Sequence, residues 1–247
     1  MIFQLMQRSI LAIGLNLALM TVGFAQDCTQ TPSILIHSCQ TEIVVHLRVL
    51  PDNKQRDSNH MLTVTGTYSS GDRFGIEGLV IQAGQTVSRR YQNWDGVLII
   101  DQNGAPHLYN AKNVALDGDE FDLKDKPRRD AFIAKAKESG VTVLQSHLLI
   151  SDGMLDLKDV EDAPSFKRRL LVTFRDGSFA IWETARSETL YDAARQVQDA
   201  LSPHMALNLD MGAYDYCRAG PAGGVSDCGG LLVSVDKLTN LLEFTGR

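Results

Sequence analysis

Residues 168–184 read RRLLVTFRDGSFAIWET, two apolar, β-branched stretches on either side of the turn signal Arg175-Asp176-Gly177. A pair of this kind predicts a β-hairpin. Residues 187–201 follow with apolar side chains at helical spacing and with Ser187 as a plausible N-cap, which predicts an amphipathic helix. Residues 205–209, MALNL, predict a further strand. This order of elements is typical of an α+β fold.

The chain upstream of the hairpin extends this pattern. Apolar or alternating runs predict strands over 42–50, 61–67, 78–82, 97–100 and 141–150. The Asn103-Gly104 pair predicts a two-residue hairpin turn, and residues 128–139 predict a helix that ends at Gly140. We therefore expect a single domain with a mixed, largely antiparallel sheet and two main helices.

Residues 1–25 have the form of a cleavable signal peptide. Arg8 is the only charge before Asp27, an apolar run covers residues 10–24, and Gly23-Phe24-Ala25 places small residues at the −3 and −1 positions. That run is shorter than the roughly 20 residues that span a bilayer, and the sequence after residue 25 predicts no transmembrane segment. We expect residues 26–247 to form one periplasmic or secreted domain. An uncleaved membrane anchor is the alternative.

The four cysteines suit an oxidising compartment. They form two pairs with the same spacing of eleven residues, Cys28 with Cys39 and Cys217 with Cys228. An even number of cysteines in an exported chain predicts disulfides, each worth about 2–3 kcal/mol for loops this short. We expect these local pairings among the three that are possible. A zinc site with four thiolates is the alternative, but the close spacing that zinc usually requires is absent.

The composition of the chain indicates which classes of partner it is unsuited to bind. The 247-residue chain has a formal net charge of −6, which argues against a nucleic-acid partner. The sequence contains no Ser-His-Asp order, phosphate-binding glycine loop or metal-ligand spacing, so it predicts neither a metal nor another cofactor.

Three groups of polar residues stand at the ends of predicted strands, where functional groups often lie. Gln145, Ser146 and His147 interrupt an apolar strand. The alternative to a functional role is a structural one, in which they hydrogen-bond to nearby backbone. Arg168 and Arg169 alternate, so one of them should face inward, where a guanidinium can bind a phosphate; the alternative places both in solvent. These five residues are candidates for a binding site.

The third group is Asn208 and Asp210, which alternate with apolar residues and should therefore point to the same face. A carboxylate at the end of a buried strand is a candidate acid, base or ligand. The alternative is an aspartate that caps a turn.

Taken in order, these stretches resemble the phosphodiester glycosidase domain family, which includes the lysosomal uncovering enzyme and many bacterial envelope proteins. The resemblance covers about residues 60–217 and rests on LTVTGTY (62–68), GLVIQAG (78–84), DGVLII (95–100), LQSHLLISDG (144–153), RRLLVTFRDG (168–177) and ALNLDMG (206–212). The family is taken to cleave a sugar from a sugar-1-phosphodiester, so the resemblance implies a hydrolase that acts on a sugar phosphate or an envelope glycan.

The resemblance also implies roles for individual residues. Asp210 would be the acid/base group, with Arg169 as a further catalytic candidate. His147 is a catalytic candidate from the residue pattern alone, at a position where the family usually has a smaller residue. Residues that would line the substrate site are Arg168, Gln145, Ser146, Asp152, Gly153, Asn208, Thr65 and Gly66. A carboxylate can support the developing cation at the sugar, and an arginine can stabilise the phosphate that leaves. A divalent ion between Asp210 and Asp152 is a weaker alternative.

Several departures from the family pattern leave a second hypothesis open. Thr65 stands before Gly66 where the family commonly has asparagine, and Met211 follows Asp210 where the family has glycine. The tyrosines Tyr214 and Tyr216 replace small residues. The second hypothesis is therefore a non-catalytic relative that binds an envelope glycan or protein.

Overall fold

The structure is a computed structural model, and it describes residues 32–39, 41–51, 59–69, 75–211, 215–220, 224, 226–230 and 238–247. The predicted signal peptide, residues 1–25, and Cys28 lie outside the described residues. The export of the chain and the Cys28–Cys39 pairing therefore stay predictions. Cys217 and Cys228 form the predicted disulfide.

Three antiparallel sheets and two helices make up the described fold, which confirms the α+β class. The first sheet has the order β1 (Ile34–His37), β14 (Phe179–Glu183), β13 (Arg169–Thr173), β15 (Met205–Leu209), β11 (Leu148–Ser151) and β12 (Met154–Leu155). The predicted hairpin is β13 and β14, paired from Arg169↔Glu183 to Thr173↔Phe179. The strand predicted at 205–209 is β15, which pairs with β13 on its other side.

The second sheet has the order β5 (Gln85–Arg90), β4 (Gly78–Gln82), β10 (Thr142–Ser146), β6 (Gly96–Ile100) and β7 (Pro106–Asn110). The third has the order β17 (Ser226–Asp227), β16 (Cys217–Ala219), β3 (His60–Thr65), β18 (Asn240–Gly246) and β2 (Ile43–Val49). A small hairpin joins β8 (Val114–Leu116) to β9 (Asp119–Phe121). Every described pair of strands is antiparallel, so the sheets are more uniform than the sequence predicted.

Each helix covers one sheet. The helix α1 (Lys126–Glu138) buries Phe132, Ile133 and Ala136 against the second sheet. The helix α2 (Leu190–Leu201) buries Ala193, Ala194 and Val197 against the first sheet. The largest core cluster brings together apolar residues of all three sheets, including Leu62, Leu144 and Leu207.

Three details differ from the sequence predictions. Residues 141–150 form two strands instead of one, because the chain leaves the second sheet after Ser146 and enters the first sheet at Leu148. The Asn103-Gly104 turn is part of a five-residue loop, since the Asp101 carboxylate accepts the N–H groups of Asn103 and Ala105. Helix α2 begins at Leu190 with Thr189 as its N-cap, whereas the sequence analysis placed the N-cap at Ser187.

Candidate functional site

The candidate site lies where strands of all three sheets end or begin. β3, β10 and β15 end there, and β4, β6 and β13 begin there. Ser146 at the end of β10 pairs with Gly96 at the start of β6, and Leu209 at the end of β15 pairs with Arg169 at the start of β13. The antiparallel pairing therefore gathers residues that are far apart in the sequence at one edge of the sheets.

Asp210 follows β15 directly and is 5% exposed. Its backbone N–H donates to the carbonyl of Gly66 at 2.8 Å. Burial raises the pKa of its carboxyl to about 7, although the backbone N–H groups of Ser69 and Met211 donate to the carboxyl and oppose that rise. A group with this pKa exchanges a proton readily at neutral pH, as a general acid or base must.

Arg168 directly precedes β13, one residue before the Arg169↔Leu209 pair of the β13–β15 ladder. Its charge acts on the same Tyr68 hydroxyl as the charge of Asp210. Arg168 is 6% exposed. Its guanidinium donates to the carbonyls of Glu188 at 3.0 Å and Pro164 at 2.7 Å. Its Nη1 makes no hydrogen bond among the described residues, so this nitrogen is available to bind an anion.

Arg169 points to the opposite face of β13 and is fully buried. Its guanidinium donates to the carboxylates of Glu183 and Asp215 and, at 3.0 Å, to the carbonyl of Tyr216. The alternation expected from the sequence is present, but both arginines are buried, each with its own set of partners. The charge of Arg169 is matched by carboxylates of the protein, whereas Arg168 bonds only to carbonyls among the described residues.

Three rings, Tyr68, Trp94 and His147, contact one another beside Arg168 and form what we call the aromatic trio. The ring centroids of Tyr68 and Trp94 are 5.0 Å apart, those of Trp94 and His147 are 5.0 Å apart, and those of Tyr68 and His147 are 5.6 Å apart. Burial, and to a lesser degree the Arg168 charge, lower the pKa of His147. The imidazole is therefore neutral near pH 7.

Tyr68 connects the trio to the acidic side of the site. Burial and the negative charge of Asp210 raise the pKa of the Tyr68 hydroxyl to about 12, against the smaller effect of Arg168. The hydroxyl accepts a hydrogen bond from Asn208 Nδ2. Asp210, Arg168 and Asn208 thus converge on the Tyr68 hydroxyl.

Gln145 and Ser146 form hydrogen bonds to the backbone of the segments that carry the site residues. The Gln145 amide accepts from the N–H groups of Leu79 and Gln92 and donates to the carbonyls of Gln92 and Trp94, at 2.7–3.1 Å. Ser146 donates to the carbonyl of Asn208. Both side chains are buried. They therefore stabilise the backbone of the site and are not exposed to a substrate.

Thr65 and Gly66 fix the backbone of Asp210 through hydrogen bonds. The Thr65 hydroxyl donates to the Asp210 carbonyl. A Cβ at Gly66 would lie 2.2 Å from Asn240 Oδ1, and that same oxygen accepts the N–H of Thr67 at 2.8 Å. Only glycine fits here without displacing Asn240.

Asp152 and Gly153 lie elsewhere. They form the turn between β11 and β12 with positive φ angles of 53° and 79°, and the Gly153 N–H donates to the carbonyl of His204. His204 precedes β15 and Asp210 follows it, so the turn lies about 20 Å from Asp210 along the strand. The structure does not bring Asp152 and Gly153 into the site, and the two aspartates cannot share a metal ion.

A small charged group borders the trio on its far side. Asp95, next to Trp94, forms an ion pair with Lys124. Asp156 lies near both, and burial followed by the Asp95 charge raises the pKa of its carboxyl.

Within the described residues, no three His, Cys, Asp or Glu side chains are placed to hold a metal ion together. No helix in this part of the chain has the length and apolar character needed to cross a membrane.

Trp94 and Tyr68 were not identified as site residues from the sequence. The available signal was weak: each is a large aromatic residue next to the end of a predicted strand. Neither pattern nor spacing indicates that two rings 26 residues apart in the sequence come together.

No sequence profile of a known protein family matches the chain, and no curated protein sequence matches it. The fold is distantly related to that of a phosphodiester glycosidase. One solved structure with a similar fold is the catalytic domain of zebrafish N-acetylglucosamine-1-phosphodiester alpha-N-acetylglucosaminidase, auto-inhibited by a pro-peptide. It has a TM-score of 0.52 and 13% sequence identity over 84% of this chain and 73% of that chain.

A hypothetical protein from Synechocystis is also similar, with a TM-score of 0.49 and 13% identity over 83% of this chain and 57% of that chain. At these identities the similarity concerns the fold alone.

Proposed function

We propose that this protein is an exported hydrolase that cleaves the bond between a sugar and the phosphate of a sugar-1-phosphodiester. The observation that carries the proposal is that a buried cation and a buried carboxyl share one neighbour: the charges of Arg168 and Asp210 both act on the Tyr68 hydroxyl, and the pKa of Asp210 is about 7. The distant fold relationship to a phosphodiester glycosidase supports the same class of reaction.

Asp210 is the general base of the proposed reaction. In its ionised form it takes a proton from the water that attacks the anomeric carbon, and the electron pair of the broken C–O bond leaves with the phosphomonoester. The products are the free sugar and that phosphomonoester. A base is most effective when its pKa lies near the working pH, and burial supplies this condition for Asp210.

Arg168 binds the phosphate and stabilises the charge that develops on it as it leaves. Its two carbonyl partners fix the guanidinium without neutralising it. Arg169, named as a catalytic candidate from the sequence, acts in this proposal as a positioning residue, since its guanidinium is already bonded to two carboxylates. His147 faces the substrate as a neutral ring.

The first experiment is hydrolysis of a sugar-1-phosphodiester and of a chromogenic phosphodiester by the purified protein, alongside Asp210→Asn and Asp152→Asn. Asp152 is the matched control, because its carboxylate is exposed and lies near the start of β15, whereas Asp210 follows the end of that strand. We expect turnover by the wild type and by Asp152→Asn, and loss of turnover in Asp210→Asn with an unchanged circular dichroism spectrum.

Two results would contradict the proposal. Turnover that persists in Asp210→Asn would remove Asp210 from the mechanism. A folded wild type with no turnover on either substrate would favour the second hypothesis, a non-catalytic relative that binds an envelope glycan or protein.

A further inference from the structure

The aromatic trio is formed by large rings that take no part in the described core clusters. Tyr68 follows β3, Trp94 precedes β6 and His147 stands between β10 and β11. Each ring is only partly buried. Large rings that come from three strand ends, contact one another and retain exposed surface are typical of a ligand site.

The trio is held in place by the backbone around it. The Trp94 carbonyl accepts from Gln145 Nε2 at 3.0 Å, and a Cβ at Gly78 would come within 3.2 Å of the Trp94 ring. The His147 carbonyl accepts the N–H of Asn208 at 2.9 Å. A surface fixed in this way loses little conformational freedom when a ligand binds.

Asn208 adds an unpartnered acceptor next to the rings. This residue is 1% exposed, and its Nδ2 donates to the Tyr68 hydroxyl and to the Leu209 carbonyl. Its Oδ1 is buried and has no hydrogen-bond partner among the described residues. A buried acceptor without a partner is costly in a folded protein, so Oδ1 calls for an O–H or N–H donor from outside the chain.

The angles between the rings restrict the shape of the ligand. Trp94 is tilted by 47° to Tyr68 and by 43° to His147, and Tyr68 meets His147 at 88°. No two of these rings are parallel, so the trio does not form the two parallel walls that would enclose a flat base. A puckered ring with an apolar C–H face can instead pack on a single aromatic ring.

We propose that the aromatic trio and Asn208 form a sugar subsite in which a pyranose ring packs its C–H face on Trp94 and donates a hydrogen bond to Asn208 Oδ1. The phosphate attached to that sugar then reaches Arg168. This inference rests on the proposed function, whose substrate class it specifies: the group recognised on the trio is the sugar, and the remainder of the phosphodiester lies beyond Arg168.

Tryptophan fluorescence tests the subsite, because the chain has two tryptophans and the second, Trp182, is buried in the core. In Trp182→Phe the emission reports Trp94 alone. The probes are glucose 1-phosphate and N-acetylglucosamine 1-phosphate, with inorganic phosphate and adenosine monophosphate as comparisons. We expect a saturable change in emission with a sugar 1-phosphate, and weaker binding of both comparison ligands.

Calorimetry on substituted proteins supplies the second measurement. We expect Trp94→Leu to weaken binding of the sugar 1-phosphate about 10- to 100-fold, as for the loss of a central aromatic contact. Trp182→Phe, the matched control, should keep the wild-type affinity. Equal affinity in Trp94→Leu, no emission change with either sugar phosphate, or tighter binding of adenosine monophosphate would overturn the subsite.

The subsite and the reaction can fail separately. A protein that hydrolyses the phosphodiester but binds sugar phosphates equally well after Trp94→Leu has no subsite on the trio, although it is an enzyme. A protein that binds sugar phosphates through Trp94 without hydrolysing any phosphodiester retains the subsite and contradicts the proposed reaction.

Discussion

The buried carboxyl of Asp210 links the chemistry of the site to the stability of the fold. An ordinary aspartate has a pKa of 3.8, whereas burial raises that of Asp210 to about 7. Between these two values the native protein keeps a proton that the unfolded chain releases. The contribution of Asp210 to the free energy of unfolding therefore falls as the pH rises through this window.

Replacing Asp210 with asparagine should remove this pH dependence. We expect the stability of Asp210→Asn relative to the wild type to increase by about 2–3 kcal/mol between about pH 5 and pH 8, because asparagine carries no charge to bury. Urea denaturation at both pH values measures the difference. Asp152→Asn, an exposed control, should show a constant difference, and a constant difference for Asp210→Asn would contradict a raised pKa.

At the residue scale, the sequence predicted which residues are polar at strand ends but not what each one does. Alternation along β13 correctly separates Arg168 from Arg169. The carboxylates that neutralise Arg169 stand at positions 183 and 215, and nothing local indicates that they meet it. The role of each arginine depends on partners that only the tertiary fold supplies.

At the scale of elements, the start of helix α2 is a specific test of local structure. Thr189 has extended backbone angles, and its hydroxyl accepts the N–H of Asp192 at 3.0 Å. Ser187, the N-cap expected from the sequence, is exposed two residues upstream. Both residue types are good caps, so sequence preference alone does not decide between them.

Replacing each hydroxyl with alanine distinguishes the two positions. We expect Thr189→Ala to lower the free energy of unfolding by about 1 kcal/mol, the usual cost of a lost N-cap, while Ser187→Ala stays near the wild type. Chemical denaturation followed by circular dichroism gives both values. Equal effects at the two positions would mean that the cap is not formed as described.

Strands with a strong apolar pattern were predicted well, and weakly patterned strands were not. β2, β4 and β13 lie where the sequence indicated, whereas β5 is a polar edge strand with no clear signal and was missed. The break at His147 was also missed, because residues on both sides of it are apolar and β-prone. The two sheets are packed closely at this change of sheet, where a Cβ at Gly96 would lie 2.2 Å from the Leu207 side chain.

At the scale of the whole molecule, the site stands where the three sheets meet, and Arg169 helps to join two of them. Its guanidinium extends from β13 of the first sheet to Asp215 and to the carbonyl of Tyr216, which leads directly into β16 of the third sheet. The Cys217–Cys228 disulfide secures the same segment. The positions of Asp215, Tyr216 and Cys217 therefore depend on contacts between sheets.

The same substitution at the two neighbouring arginines should affect stability and binding to different degrees. We expect Arg169→Met to cost about 3–5 kcal/mol in unfolding free energy, because it removes the shared cation from the buried carboxylate of Glu183, which then keeps only Lys167, and from the half-buried carboxylate of Asp215. Arg168→Met leaves two carbonyls without a donor and should cost about 1–3 kcal/mol. Its larger effect should be on binding of glucose 1-phosphate, since it removes the cation that faces the phosphate.

Urea denaturation and calorimetry on both variants separate the two roles. Adding Glu183→Gln and Asp215→Asn to Arg169→Met should recover part of the lost stability, since the carboxylates that lost their shared cation are then neutral. Arg168→Met has no such rescue, because its partners are backbone carbonyls. If Arg169→Met instead abolished binding while keeping wild-type stability, Arg169 would be the residue that contacts the phosphate. The assignment of the two arginines would then be reversed.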